Sequence, residues 1–314
     1  MAVICFRWSN RRIQPVSYTI RSGSCCMVSD GNFTPFVSAA SGLHGLESVA
    51  DTTQSGTDNP APVLALHGWL DNAESFRRLA SELPDFSLKA PDLPGHGLSP
   101  WLAGEGSYLI WNSTQTLWRL LQETSAQMHL VGHSMGGAIG LCLAAAFPEK
   151  FLSFTMIDSA GPLSTEPEDV AHQLRKSVEA EARENRIFTE PGQAVAARQV
   201  ASPKMTADDL RAMVQRSLRD VAQGWQWRWD PALRLPSSLR LTEAQIAGLF
   251  RSLRCPVLAI RAQEGLMPEN WFRQRVAQAP QLTVHELPGH HHLHMSPDTA
   301  PAVAQTFREF VRCL

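Results

Sequence analysis

The pentapeptide Gly132-His133-Ser134-Met135-Gly136 constrains this chain more than any other stretch. A short apolar run, residues 128–131, precedes it, and a long apolar stretch of helical character, residues 135–147, follows it. Strand, tight turn and helix in that order, with G-x-S-x-G at the turn, put a serine on strained backbone with its hydroxyl pushed out of the sheet. Glycine at 132 and 136 removes side chains that would clash where strand and helix pack closely.

The flanking sequence supplies a sheet for that turn. Residues 63–67 read as a buried strand, followed by the turn His67-Gly68-Trp69 and a helix over 75–83. Residues 86–90 form the next strand, closed by the Gly- and Pro-rich turn Asp92-Leu93-Pro94-Gly95-His96-Gly97. Leu and Trp spacing predicts a helix over 107–124 with Ser107 as N-cap. After the elbow come a strand over 151–157 ending at Asp158, then a strand over 256–261, a helix over 269–278, a strand over 282–286 and a helix over 297–312. Strands alternating with helices imply an α/β fold with a mostly parallel sheet covered on both faces.

Between 162 and 253 the composition turns to Arg, Glu, Gln and Ala with helical periods, the pattern of an inserted helical cap. The expected organisation is a poorly ordered leader over 1–30, a first core part over 31–162, the cap over 163–253 and a second core part over 254–314. Residues 33–58 have room for one or two antiparallel edge strands, and translation starting at Met27 is a second reading of the leader.

Bulk composition excludes several classes. A chain 44% hydrophobic and 18% charged builds a large core, and a net charge of −2 points away from nucleic acid and anionic membranes. The apolar run over 135–147 is too short to span a bilayer. Arg7, Arg11 and Arg12 are not followed by the apolar core of a secretory signal. Six cysteines without metal-type spacing read as reduced thiols, Cys142 and Cys255 buried, which places the chain in the cytoplasm.

A serine hydroxyl needs a base to become a nucleophile. The base candidates late in the chain stand in Gly289-His290-His291-His292-Leu293-His294-Met295. An acid must orient the base, and two lie at strand ends, Asp158 and Glu264; both keep the chain order Ser, acid, His. The amide of Met135, at a helix N-terminus, and that of Trp69, after the first clear strand, are the oxyanion donors. Asp92 and His96 read as turn-stabilising, and His67 as a tie on the oxyanion loop. The clustered histidines have no carboxylate or cysteine at ligand spacing, so no metal or cofactor is expected. Trp225, Trp227 and Trp229 read as packing between cap and core, and Arg228 and Arg234 as solvated or paired with cap acids.

With these motifs together, His67-Gly68-Trp69, Asp92 to Gly97, Gly132 to Gly137 and the His-rich loop, the chain resembles the α/β-hydrolase superfamily over 62–314. His67-Gly68-Trp69-Leu70-Asp71-Asn72 and Pro288 to Met295 resemble, more narrowly, the group called serine hydrolase-like proteins. Set against that group's Gly-x-His-x-Leu-His ending, the Leu293-His294 pair aligns. Counting back three from His294 selects His291 as base, ahead of His290 and His292. Many relatives carry an Asp three residues after a Gly at the strand following the cap. Here the stretch reads Arg261-Ala262-Gln263-Glu264-Gly265, with glycine at that position. The resemblance leaves Glu264, one residue early, or Asp158, the position used by dehalogenase-like relatives; Asp158 is favoured.

The resemblance implies a cofactor-free serine hydrolase acting on an ester, thioester or lactone of a small to medium apolar acyl compound. Carbon–carbon bond hydrolysis or a lyase reaction with the same triad is a second reading, and a binding protein on a hydrolase scaffold a third. Epoxide hydrolase and dehalogenase chemistry require an Asp where this chain has Ser134.

Overall fold

A computed structural model describes residues 33–51, 61–103 and 108–314. The leader expected over 1–30 and the expected N-cap Ser107 lie outside the described residues. Eight strands form one sheet: β1 (Thr34–Val37), β2 (His44–Ser48), β3 (Val63–Leu66), β4 (Leu88–Pro91), β5 (Met128–His133), β6 (Phe151–Ile157) and two strands late in the chain, Val257–Glu264 and Leu282–His290. Three short cap strands, β7 (Ile187–Phe188), β8 (Leu218–Val221) and β9 (Gly224–Trp227), intervene, so the two late strands are β10 and β11. The order in the sheet is β1-β2-β4-β3-β5-β6-β10-β11. β1 and β2 pair antiparallel at one edge, and every pairing from β4 to β11 is parallel.

Period-2 burial divides the core into two layers. Leu64, Leu66, Leu130, Val257 and Ala259 face one cluster, with α2 (Ile110–Leu121) and α3 (Met135–Ala146) over them. Their neighbours Val63, Ala65, Val131, Leu258 and Ile260 face the other, under α1 (Arg77–Glu82) and the C-terminal helix Ala300–Arg312. That helix presents Val303, Ala304, Phe307 and Phe310 to the sheet, the i, i+4, i+7 stripe that a half-buried helix needs. Buried on both faces, the central strands read as continuous apolar runs, all six residues of β5 being buried.

α3 lies against the sheet because glycine lets it. A Cβ at Gly136 would fall 1.9 Å from the carbonyl oxygen of Leu66, at the end of β3. The start of α3 therefore abuts the exit of β3, which carries the His67-Gly68-Trp69 turn.

Within the stretch read as a helical cap are α4 (Val170–Val178), α5 (Pro191–Ala201), α6 (Ala207–Arg216) and α7 (Glu243–Arg251). Two differences from that reading appear. β7, β9 and β8 form a three-stranded antiparallel sheet there, with Trp225 and Trp227 on β9 packed against Phe188, Met213 and Leu218. Their alternation is the period of a strand, but the Ala222-Gln223 turn lacks the Asn-Gly chemistry that announces a hairpin. The second difference is α7, which buries Ile246 and Phe250 in the core cluster that also holds Phe272 and Val276 of α8 (Glu269–Val276). The C-terminal helix is thus α9. No helix among the described residues is long and apolar enough to cross a membrane.

Candidate active site

Ser134 sits between β5 and α3 at φ 50° and ψ −114°, a strained conformation for a residue with a side chain. Hydrogen bonds to both sides hold it. Its amide donates to the Ile157 carbonyl at 3.1 Å, and its own carbonyl accepts from the Gly137 amide at 3.0 Å and the Ser159 hydroxyl at 2.8 Å. The elbow is thereby tied to the end of β6.

The next residue on β6's exit is Asp158, fully buried and itself at φ 41°. Its amide donates to the Ile260 carbonyl at 2.7 Å. Its Oδ1 accepts from the Ala262 amide at 3.1 Å, and Oδ2 accepts from the Leu266 amide at 3.1 Å. Oδ2 also lies 2.5 Å from Nδ1 of His291, which directly follows β11. A carboxylate only accepts, so Nδ1 carries the proton and Nε2 of His291 is left with a lone pair. Burial pushes the Asp158 carboxyl up; the bond and charge of His291 and the two amides outweigh it and hold the group below the ordinary carboxylate range.

Gly265 explains the departure from the family pattern. A Cβ there would stand 2.3 Å from Oδ1 and 2.5 Å from Oδ2 of Asp158. The glycine vacates the space that the Asp158 carboxylate fills. Glu264 is not brought to His291: its side chain is exposed and pairs with Lys204 of the cap. Neither His290 nor His292 bonds to a carboxylate oxygen of Asp158; His290 Nδ1 accepts from the His292 amide at 3.2 Å.

The two expected oxyanion donors lie on neighbouring segments, Met135 as the first residue of α3 and Trp69 on the turn after β3. Neither amide donates to an acceptor among the described residues. The turn is fixed by His67, whose Nδ1–H donates to the Gly68 carbonyl at 2.8 Å while Nε2 accepts from the Leu93 amide at 2.9 Å. The Trp69 indole donates to the Leu233 carbonyl of the cap at 2.8 Å.

Asp92 accepts from the Leu98 amide across its turn and from the Ala73 amide, both at 2.8 Å, and from Nε of Arg216 at 3.0 Å. The turn role expected of it stands beside an ion pair to the cap that the sequence did not signal. A second such pair joins Arg198 to Asp71, at 2.5 Å to Oδ1. Asp71 corrects the expectation that the histidines lack a carboxylate partner: its Oδ2 lies 3.6 Å from Nδ1 of His133 and 3.7 Å from Nε2 of His292. The partner stands on the β3 loop, far away in sequence, where ligand spacing along the chain cannot reveal it. Burial pushes Asp71 up, but Arg198 and the two histidines hold it well below the carboxylate range. Burial lowers His133 and takes His292 down to about 3, with the His291 charge adding to it and the Asp71 carboxylate opposing it.

The family model described as alpha/beta hydrolase fold matches residues 61–297, and the chain belongs to that family. Its relatives include a serine hydrolase-like protein of Danio rerio, 27% identical over 271 residues, which cover 80% of this chain and 82% of that protein. Serine hydrolase-like protein 2 of Homo sapiens is 28% identical over 281 residues, 80% of this chain and 87% of that one. Among solved structures, a hypothetical protein from Pseudomonas aeruginosa PAO1 superposes with a TM-score of 0.79 at 31% identity, over 90% of this chain and 99% of that chain. The thioesterase domain from the curacin biosynthetic pathway shares the fold, with a TM-score of 0.75 at 24% identity over 87% of this chain and 98% of that domain. The family and these relatives support hydrolase activity.

Proposed function

We propose that this hydrolase cleaves an ester, thioester or lactone of a small to medium apolar acyl compound through Ser134, His291 and Asp158. The observation that carries the reading is the 2.5 Å contact between His291 Nδ1 and a buried, amide-held Asp158 beside the strand that carries Ser134. Ser134 Oγ attacks the carbonyl carbon while His291 Nε2 takes its proton. The amides of Trp69 and Met135 hold the oxyanion, and loss of one such donor costs roughly 3 kcal/mol. His291 then gives the proton to the leaving group, and water, deprotonated by the same nitrogen, releases the acyl group from Ser134.

A cavity of about 610 Å³ between the start of α2 and the cap is lined by Tyr108, Leu109, Val178, Leu235 and Pro236 together with Ser177, Ser237 and Ser238, and by none of the triad residues. Ala232, also on its wall, adjoins Leu233, whose carbonyl holds the Trp69 indole.

Turnover of p-nitrophenyl butyrate by Ser134→Ala tests the reading, with circular dichroism to check the fold. Triad members supply roughly 10⁴- to 10⁶-fold in rate, so activity should vanish while the fold stays. Retention of more than about a tenth of wild-type turnover would overturn it.

A further inference from the structure

We propose that Asp71, His133 and His292 form a zinc site beside the triad, and that an ion bound there takes His291 as a further ligand and switches the enzyme off. The switching half rests on the reading of His291 as the general base.

The geometry is that of a ligand set. Zinc bonds of about 2.1 Å in a tetrahedron separate the donor atoms by roughly 3.4 Å. Asp71 Oδ2 stands 3.6 Å from His133 Nδ1 and 3.7 Å from His292 Nε2. One ring nitrogen from each of His133, His291 and His292 lies within 4.8 Å of the other two. Their rings are 4.6 to 5.1 Å apart between centroids.

The donors are also unspent. Asp71 Oδ2 and His133 Nδ1 are buried without a hydrogen-bond partner among the described residues, and both side chains are 1% exposed. Each is oriented through its other polar atom, as metal ligands are. Arg198 holds Oδ1 of Asp71, and Nε2–H of His133 donates to the His291 carbonyl at 3.0 Å. Space for the ion lies beside Gly68, where a Cβ would meet Asp71 Oδ2 at 2.8 Å and His133 Nδ1 at 2.9 Å. Two or three imidazoles with one carboxylate suit zinc and exclude magnesium and calcium, which take oxygen.

His291 has only Nε2 to offer, because Nδ1 is committed to Asp158. A zinc–Nε2 bond occupies the lone pair that Ser134 needs. No covalent change occurs, so removing the ion restores the base.

The test titrates zinc chloride into the full chain by calorimetry, and in parallel follows p-nitrophenyl butyrate turnover with zinc, with magnesium and after EDTA. One saturable zinc site is expected, with turnover lost in zinc, unchanged in magnesium and restored by the chelator. His292→Gln should weaken zinc binding ~100-fold or more, since even residues that merely orient ligands are worth 10- to 100-fold. The same variant should keep its turnover and lose its zinc sensitivity. Gly68→Ala, read by calorimetry alone, should also weaken binding by filling the space. Absence of a saturable site, or equal affinity in wild type and both variants, would overturn the proposal. Zinc binding that depends on His292 in a chain with no turnover on any ester would uphold the site and overturn the hydrolase reading instead.

Discussion

A single methyl group at Gly265 should disable this enzyme. The alanine Cβ would stand 2.3 Å from Oδ1, 2.5 Å from Oδ2 and 2.7 Å from Cγ of Asp158, where ordinary contact begins at 3.4 Å. Gly265 has no left-handed φ, so Gly265→Ala meets no backbone obstacle and the carboxylate is what must move, by about 1 Å. A shift of that size cannot preserve both 3.1 Å amide bonds and the 2.5 Å contact with His291. Misplacement by 1 Å costs about 100-fold in rate, and complete loss of the acid about 10⁴-fold. kcat/KM for p-nitrophenyl butyrate should therefore fall between those limits. Overpacking adds about 1–3 kcal/mol of strain, visible as a Tm lower by a few degrees. Asp158→Asn should fall to the lower limit, and the double variant should be no worse than Asp158→Asn, because both changes remove one function. Glu264→Gln should stay within about ten-fold of wild type, its side chain being exposed and paired with Lys204. A Gly265→Ala enzyme within about threefold of wild type would refute the assignment of Asp158.

Three further outcomes are expected. Among single His→Gln variants, His291→Gln should lose turnover while His290→Gln, whose ring makes no contact with Asp158, should keep it; the reverse result would displace the base by one residue. Burial takes His67 down to about 4 and His96 to about 3 from 6.5, against the attraction of Asp71 and Asp92. Groups lowered on folding bind fewer protons than in the unfolded chain, so their stability is complete above pH 6.5 and drains as the pH falls towards 4 and 3; His67 alone is worth ~3 kcal/mol, and a Tm flat across that window would contradict it. Phe250→Ala should destabilise by about 3–5 kcal/mol in urea unfolding, because this fully buried ring joins α7 to the core; a loss below about 1 kcal/mol would return α7 to the cap.

Much of the fold was legible because its signals are local. The elbow and the alternation of strands and helices follow from periods and turn residues within short windows, whereas the stretch over 33–58 showed only room for one or two edge strands. Asp158 was legible as a strand-end acid, although only the space beside Gly265 explains why it stands where it does. Asp71, Arg198 and Arg216 were not legible, since each meets its partner across a long stretch of chain that only the fold closes. A lone charged residue gives no sign of burial until its partner is known. The cap strands were hidden by their brevity and by a turn without Asn or Gly at its centre.

Fluorophosphonate labelling of the full chain, read by intact mass and then by peptide mapping, tests the central claim most directly. The triad predicts one adduct, on Ser134, absent from Ser134→Ala and strongly slowed in His291→Gln and Asp158→Asn. A chain that stays unlabelled, or that carries its adduct on another serine such as the neighbouring Ser159, would contradict it.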